Sequence, residues 1–391
     1  MRLAEYDGKF LLRRHGLAVP RAVLLRAGEE PPDEAASWPG LFLKAQVLEG
    51  GRGKSGLVRR LHGIDSFREA RRLILATLDD ADTPLLLEEA VPIGREIFVA
   101  IRVDGTRQRL ELLLAAEGGE DVERSAKKLA RVVIEADRPL TGEQVFTAAA
   151  ELFPRDLAAR LARYAARLPD IARREDLQLL EINPLALTAD GRFIACDAKL
   201  IRDAAADFRH DSSAFALSRM LTERALTAAE RAARDLGFQL VEIPGDVVLV
   251  TSGAGLAMMM MDLLADHGLN AASFMDNLRG APDETMNERL QIARTLAKRP
   301  GIRAIVFQTV IASRSLAERI DALTAWVKAE PLPKPLFVGL AAGHAATRKM
   351  SPAAAIEQLG ALGVPAFTDP VALVKAVAQA VGIPARAVGR S

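Results

Sequence analysis

Hydrophobic runs in the first half of the chain are short, and they end in glycine or in acidic residues. Short runs of this kind indicate strands joined by turns. Turns at Asp104-Gly105 and at 189–191 each separate two such runs, which predicts two β-hairpins. The predicted strands cover residues 41–47, 85–88, 97–103, 110–115, 177–187 and 192–197. The predicted helices are a short first helix closed by Gly16, then residues 65–80 and 143–175.

The second half of the chain has a different pattern of hydrophobic and polar segments. A polar-faced helix is predicted over 214–236, and Pro244-Gly245 follows it as a plausible domain boundary. Strand-like and helix-like segments then alternate, which is typical of a parallel, doubly wound sheet. The pattern predicts two domains, residues 1–236 and 237–391.

Composition narrows the class of protein. The 391 residues are half hydrophobic, and 52 basic residues balance 51 acidic ones, so nothing points to nucleic acid or to a membrane surface. The N-terminal residues are polar and no apolar run is long enough for a membrane span. A single cysteine, Cys196, excludes an intrachain disulfide. We expect a cytoplasmic protein.

The loop at 49–56 is the first feature that suggests chemistry. Its four glycines let backbone N–H groups approach a ligand closely, and Arg52 and Lys54 add positive charge, a combination that suits polyphosphate. Lys44 lies in the apolar strand before the loop and could reach a nucleotide phosphate. The alternatives are a flexible hairpin tip for the loop and a solvated strand face for Lys44.

Carboxylates and an amide supply the remaining candidates. Glu88 ends the second predicted strand and Glu96 follows it, so either could accept from an adenine amino group or a ribose hydroxyl. For either residue taken alone, a surface charge is the favoured interpretation. Asn183, within Glu181-Ile182-Asn183-Pro184-Leu185, and Asp197 lie on adjacent strands of the second hairpin. Their oxygens suit Mg²⁺ that keeps waters and bridges phosphates.

Together these segments resemble, in the same order and over nearly the whole length, the β subunits of succinate–CoA ligase and their relatives. The matching segments are Glu5-Tyr6, Lys44, Gly51-Arg52-Gly53-Lys54, Glu88 with Glu96, Glu117-Gly118-Gly119, 181–185, 197–200 and 253–258. The resemblance implies an N-terminal ATP-grasp domain followed by a flavodoxin-like parallel α/β CoA-ligase domain. It implies Mg²⁺ at Asn183 and Asp197, and nucleotide contacts at Lys44, Gly51, Arg52, Gly53, Glu88, Val91 and Glu96.

The resemblance also implies a reaction. ATP phosphorylates a histidine on a separate, α-like subunit, the phosphoryl group passes to a small carboxylic acid, and CoA, bound mainly on the partner, displaces it. None of the five histidines of this chain, at 15, 62, 210, 267 and 344, has the setting of a phospho-acceptor. We therefore expect a hetero-oligomer in which the partner supplies that histidine.

Several positions depart from the family's pattern. Leu48 replaces a histidine before the glycine loop and Leu57 a glycine after it. The second half lacks a triple glycine near 277–281 and a Gly-Gly-Ile-Val helix start near 308–314, and its 343–346 turn is altered. These changes predict an acid other than plain succinate, with Ser252, Arg279 and Arg314 as candidate substrate contacts. Two alternatives stay open: another ATP-grasp carboxylate ligase, or a nucleotide-binding regulatory subunit whose transfer site has decayed.

Overall fold

The computed structural model describes residues 1–118, 129–135, 138–211, 213–251, 253–277, 285–311, 315–342 and 349–383. Its contacts divide the chain into two compact units, Met1–Arg224 and Ala225–Ser391. This division lies before the predicted boundary at 236/237, and each unit is described separately below.

Unit 1 is built on two antiparallel sheets. The first has the strand order β1-β4-β2-β3, and the second has the order β10-β8-β5-β6-β7 with β9 paired to β8. The strands are β1 (Ala22–Leu25), β2 (Leu41–Ala45), β3 (Val58–Leu61), β4 (Leu85–Glu89), β5 (Ile93–Asp104), β6 (Arg109–Ala115), β7 (Leu129–Ile134), β8 (Leu177–Thr188), β9 (Phe193–Ala195) and β10 (Lys199–Arg202). The helices are α1 (Glu5–Arg14), α2 (Phe67–Leu78), α3 (Gly142–Ala150), α4 (Arg155–Ala165), α5 (Leu168–Arg174) and α6 (Ala216–Ala225). Both predicted hairpins are confirmed, as β5–β6 and β8–β9.

The alternation of side chains along each strand determines which face of each sheet packs against a hydrophobic core. On β2, Leu41 and Leu43 are buried in the core formed with α2, so Phe42 and Lys44 face the other way. On β8, Leu180 and Ile182 join a second core formed with α1, α3, α4 and α5, which leaves Asn183 on the opposite face. The polar residues of both sheets are therefore collected on the faces that these two cores do not cover.

Unit 2 contains a parallel sheet of order β12-β14-β15-β16 and an antiparallel pair β11–β13. Its strands are β11 (Phe238–Glu242), β12 (Val247–Thr251), β13 (Ser273–Asn277), β14 (Ala304–Ile311), β15 (Leu336–Ala342) and β16 (Ala366–Phe367). Its helices are α7 (Ala228–Asp235), α8 (Ala254–Asp266), α9 (Met286–Ala297), α10 (Leu316–Ala329), α11 (Pro352–Gly360) and α12 (Pro370–Ala380). Alternate residues of β12 pack into two separate cores, one with α9, α10 and α11 and one with α8 and α12. Helices cover both faces of the sheet, so the predicted parallel α/β arrangement is confirmed.

The single helix predicted over 214–236 is wrong. The structure has α6 and α7 instead, because Thr227 and Glu230 form a capping box that starts a new helix. The Thr227 hydroxyl accepts from Glu230 N at 3.1 Å, and Glu230 Oε2 accepts from Thr227 N at 2.8 Å. In the described part of the chain, no helix is both long and apolar enough to cross a membrane.

Gly245 provides a test of packing in unit 2. A Cβ at this position meets the backbone of the next strand connection, 2.3 Å from Ala271 O and 2.7 Å from Ala272 N. Because backbone cannot yield as a flexible side chain does, we expect Gly245→Ala to lower the free energy of unfolding by about 2 kcal/mol or more. The measurement is urea unfolding in a Trp38→Phe background, where Trp326 reports on unit 2.

Gly360→Ala is the matched control, since a Cβ there meets nothing within 4 Å and the residue ends helix α11. It should be neutral or slightly stabilising. Equal stability of the two variants would contradict the close approach at Gly245.

Candidate functional site

A cavity of about 740 Å³ lies in unit 1, against the faces of the two sheets that the cores leave uncovered. Sheet alternation places Phe42 and Lys44 of β2 on it, and Asn183 of β8. Every residue that the sequence proposes for nucleotide or metal lines it: Lys44, Gly51, Arg52, Gly53, Glu88, Val91, Glu96, Asn183 and Asp197. Segments more than 100 residues apart in sequence thus meet in one space.

Lys44 and Glu88 meet because of strand register. Phe42 of β2 pairs with Glu88 of β4, so Lys44, two residues further along the same face, lies diagonally across from Glu88. Lys44 Nζ donates to Glu88 Oε1 at 2.6 Å and to Glu5 Oε1 at 2.8 Å. Both the lysine and the two glutamates are buried. The site therefore holds its charges away from water.

Two further cations complete this cluster. Lys9 Nζ, from α1, donates to Glu5 Oε1 at 2.6 Å and also to Glu88 Oε2. Arg52 Nη1 lies 2.6 Å from Glu5 Oε2, and Arg52 Nη2 donates to both Asp197 oxygens at 3.0 and 3.2 Å. We call these six residues the ionic cluster: Glu5, Lys9, Lys44, Arg52, Glu88 and Asp197. Its three cations balance its three carboxylates, which is the condition for keeping such charges buried.

The glycine loop is a closed turn that carries Arg52 into the cluster. Ser55 N donates to Gly51 O at 3.2 Å, and Leu57 N donates to Arg52 O at 2.9 Å. Gly51 has φ +76°, a conformation that a residue with a Cβ rarely adopts. Arg52 Nη1 also donates to Ala45 O at 3.1 Å, which ties the loop to β2. The loop is therefore held in place by its own backbone and by one arginine.

Apolar side chains form one part of the lining. Phe42, Val47, Ile93 and Phe98 border the cavity beside the charged groups. An apolar wall next to cations suits a ligand with a flat ring at one end and negative charge at the other.

Comparison with known proteins agrees with this geometry. A model of the ATP-grasp domain matches residues 2–187. The β subunit of succinate–CoA ligase (ADP-forming) from Acidithiobacillus ferrooxidans is 34% identical over 401 aligned positions, which span 98% of this chain and 100% of that protein. The same subunit from Desulfurococcus amylolyticus is 31% identical and covers 85% of this chain and 89% of its own. The chain belongs to the family of succinate–CoA ligase β subunits.

Among solved structures, ATP citrate lyase from Methanosaeta concilii, in complex with (3S)-citryl-CoA, superimposes with a TM-score of 0.68. It covers 97% of this chain and 99% of its own at 15% identity, so it supports the fold alone. The resemblance and the fold class predicted from sequence are confirmed. This ligase β chain is a nucleotide-binding ATP-grasp subunit of a CoA ligase, a class of enzyme that uses ATP and Mg²⁺ and takes CoA as a substrate.

The oxygens of Asn183 and Asp197 fit a magnesium ion in this ligase β chain. Both line the same cavity, and the Asp197 side chain is 38% exposed, so water can reach it. In the part of the chain that the structure describes, no group of three His, Cys, Asp or Glu residues forms a closed metal cage. Two oxygen ligands with waters completing the shell are what Mg²⁺ commonly takes in phosphate sites.

Gly118 packs against this corner of the cavity. A Cβ on Gly118 would lie 3.1 Å from Glu96 Cβ and 3.4 Å from Asn183 Oδ1. The Glu117-Gly118 part of the sequence match therefore has a physical reason, because a side chain there would push on two candidate ligand contacts.

Leu57, one of the positions where the ligase family usually has glycine, has a packing role in this chain. Its side chain is buried in the core of the first sheet. Leu48, which replaces the usual histidine, lines the cavity. The two departures thus act differently: one stabilises the sheet and the other changes the surface that faces a ligand.

The sequence did not single out Glu5 and Lys9 as site residues. Both belong to an amphipathic first helix, where charged residues ordinarily face water, but here they are 3% and 4% exposed. The signal that could have found them is their i,i+4 spacing on the same helix face as Leu12.

The candidate substrate contacts Ser252, Arg279 and Arg314 lie outside the described residues, as does the 343–346 turn. They stay predictions.

Charge pairing shifts the pKa values of Glu5 and Lys44 in the ionic cluster. Burial alone raises the pKa of the Glu5 carboxyl, but Lys44, Lys9 and Arg52 together hold it well below its ordinary range. Burial likewise favours the neutral form of Lys44, but Glu5, Glu88 and Asp197 hold its pKa above the ordinary value. The thiol of Cys196 shows the opposite outcome, since burial raises its pKa to about 11 and keeps it protonated.

Glu5 provides a pH test. Because its folded pKa is depressed below the ordinary value of 4.5, its contribution to stability is present above that value and is lost as the pH falls toward the folded pKa. We expect Glu5→Gln to lower the free energy of unfolding of unit 1 by about 3 kcal/mol at neutral pH, because it leaves three cations with two carboxylates. The difference from wild type should shrink below about pH 4.5.

The measurement is urea unfolding across this pH range in a Trp326→Phe background, where the buried Trp38 reports on unit 1. Glu151→Gln, at an exposed position of the same unit, is the control and should change little at any pH. A gap between wild type and Glu5→Gln that is constant with pH would contradict the depressed pKa.

Proposed function

We propose that this chain binds Mg·ATP in the unit 1 cavity and transfers the γ-phosphoryl group to a histidine of an α-like partner subunit. That histidine passes the phosphoryl group to the carboxylate of a small acid, forming an acyl phosphate. The CoA thiol, bound mainly on the partner, then displaces phosphate and forms the thioester. The observation that carries the proposal is that Lys44, Arg52 and the Asn183–Asp197 pair line one cavity.

The proposed site has one set of residues for the phosphates and another for the rest of the nucleotide. Lys44 and Arg52 meet the negative charge of the phosphates, and the backbone N–H groups of Gly51 and Gly53 approach them closely. Glu96 accepts hydrogen bonds from the adenine amino group or the ribose hydroxyls, and Glu88 acts through Lys44, to which its carboxylate is paired. Val91 contacts the nucleotide from the connection between β4 and β5.

Asn183 and Asp197 are the proposed magnesium ligands. When bound, the ion supplies positive charge to the phosphate oxygens. The protein's part is to hold the chain of phosphates and to keep water out, since phosphoryl transfer depends mostly on positioning and electrostatic stabilisation.

The acid that accepts the phosphoryl group is proposed to be a small carboxylic acid other than plain succinate. The support is the sequence of the second half, where the family's glycines near 277–281 and 308–314 are replaced. Ser252, Arg279 and Arg314 are the proposed contacts to it.

We also propose that the enzyme works in the cytoplasm, without nucleic acid or membrane as a partner. The balanced charge and the single cysteine support this.

The double variant Asn183→Ala with Asp197→Ala tests the metal site. It should weaken Mg·ATP binding by at least about a hundredfold, because it removes both proposed protein ligands of the ion. Isothermal titration calorimetry of the full chain, with and without Mg²⁺, measures this. Asp170→Ala, which removes an exposed carboxylate on α5, is the matched control and should bind as wild type. Unchanged affinity in the double variant would show that the metal is held elsewhere.

Phosphoryl transfer is tested with the α-like partner present. On incubation with γ-labelled ATP and Mg²⁺, the label should appear on a histidine of the partner, as an acid-labile and base-stable adduct. CoA and the correct acid should then discharge it, and a panel of small carboxylic acids identifies that acid. If the chain binds Mg·ATP but no label reaches the partner, the proposed transfer is wrong and a regulatory nucleotide-binding role is favoured.

A further inference from the structure

Lys9 and Lys44 share the same acceptors in the ionic cluster. Each ammonium donates to Glu5 Oε1, and each donates to a different oxygen of Glu88. Both also donate to the carbonyl of Cys196, Lys9 at 2.7 Å and Lys44 at 3.0 Å. Two lysines from different elements, α1 and β2, therefore serve one pair of carboxylates.

The two lysines differ in their position relative to the cavity. Lys44, Glu5 and Glu88 all line it, whereas Lys9 is not among the described residues that do. Lys9 lies behind the carboxylates, 4% exposed, and cannot touch a ligand in the cavity without displacing them. It acts on the site only through Glu5 and Glu88.

Helix α1 is fixed firmly enough to keep Lys9 there. Tyr6 N donates to Gln46 Oε1 at 2.9 Å, and Asp7 Oδ2 accepts from both Ser218 N and Ser218 Oγ. Leu11 and Leu12 are fully buried in the core beneath the second sheet. The ammonium of Lys9 is therefore a stationary charge.

Binding of a phosphate ligand requires the Lys44 ammonium to change its hydrogen-bond partners. Its ammonium has to turn from Glu5 and Glu88 toward the ligand, which leaves buried carboxylates without that partner. An uncompensated buried charge is strongly unfavourable. With Lys9 in place, Glu5 and Glu88 each keep one cation beside them, the ammonium of Lys9.

We propose that Lys9 is a positioning residue that stays paired with Glu5 and Glu88, so that Lys44 is released to bind the polyphosphate. The inference rests on the proposed function, in which Lys44 meets the phosphates. Lys9 thereby sets the affinity for the charged part of the nucleotide more than for its base.

Calorimetric titration of the full chain with Mg·ATP and, separately, with adenosine tests this. Lys9→Met keeps the length of the side chain and removes its charge. It should weaken Mg·ATP binding by at least about tenfold and adenosine binding much less, because only the phosphates require Lys44 to leave its carboxylates. Adding Glu5→Gln to Lys9→Met removes one negative charge along with the positive one, and it should recover at least part of the Mg·ATP affinity.

The outcomes separate the two proposals. If the wild-type chain does not bind Mg·ATP, the proposed function fails. If the wild type binds and Lys9→Met binds equally well, the role of Lys9 is overturned. It is also overturned if both ligands weaken by the same factor and Glu5→Gln restores nothing, since that is what loss of structure alone produces.

A second comparison applies if Lys9→Met does not fold by itself. Glu5→Gln alone, which leaves the cluster with an excess positive charge, then serves as the reference variant. Adding Lys9→Met to it should lower the ratio of Mg·ATP to adenosine affinity. An unchanged ratio contradicts the proposal.

Discussion

Everything in unit 1 that bears on function depends on one constraint: six charged side chains share a largely buried site and must neutralise one another. Helix α1 supplies one anion and one cation, β2 and the glycine loop supply two cations, and β4 and the segment before β10 supply two anions. No single element contains more than two of the six charges. The two sheets, the first helix and the loop therefore have to come together for any of these charges to be buried, and the site that they form is a consequence of folding rather than an addition to it.

Unit 2 also contains buried cations, but most of their hydrogen bonds go to main-chain carbonyls rather than to carboxylates. Arg289 of α9 is 4% exposed, and it donates to Thr251 O, Asp276 O and Asn277 Oδ1 at the ends of β12 and β13 while lying 4.8 Å from the ring of Phe238. Arg294, one turn and a half further on, donates to the carbonyls of Trp326, Glu330 and Pro331. Both guanidiniums bind main-chain carbonyls at or near the ends of strands and helices, so they join elements where the regular structure stops.

These arginines also show where sequence reasoning ends. Local patterns correctly predict the two hairpins, because each depends on residues close in the chain. The residues proposed for nucleotide and metal line one cavity, and their roles stay predictions. Helix α9 was not predicted, since its buried face carries Arg289 and Arg294 among apolar residues and loses the expected period. Lys9 was missed for a different reason: its partners Glu88 and Cys196 lie 79 and 187 residues away. Roles that depend on such distant partners follow only from the assembled fold.

The hydrogen bonds from Arg52 to both oxygens of Asp197 have one more consequence. They mean that the carboxylate best placed for a metal already has a cation on it. A lone divalent ion approaching it meets a guanidinium and is repelled, whereas an ion carried by a polyphosphate arrives with an excess of negative charge to which Arg52 can turn. The pair therefore keeps the Asp197 carboxylate neutralised until another anion is offered to Arg52.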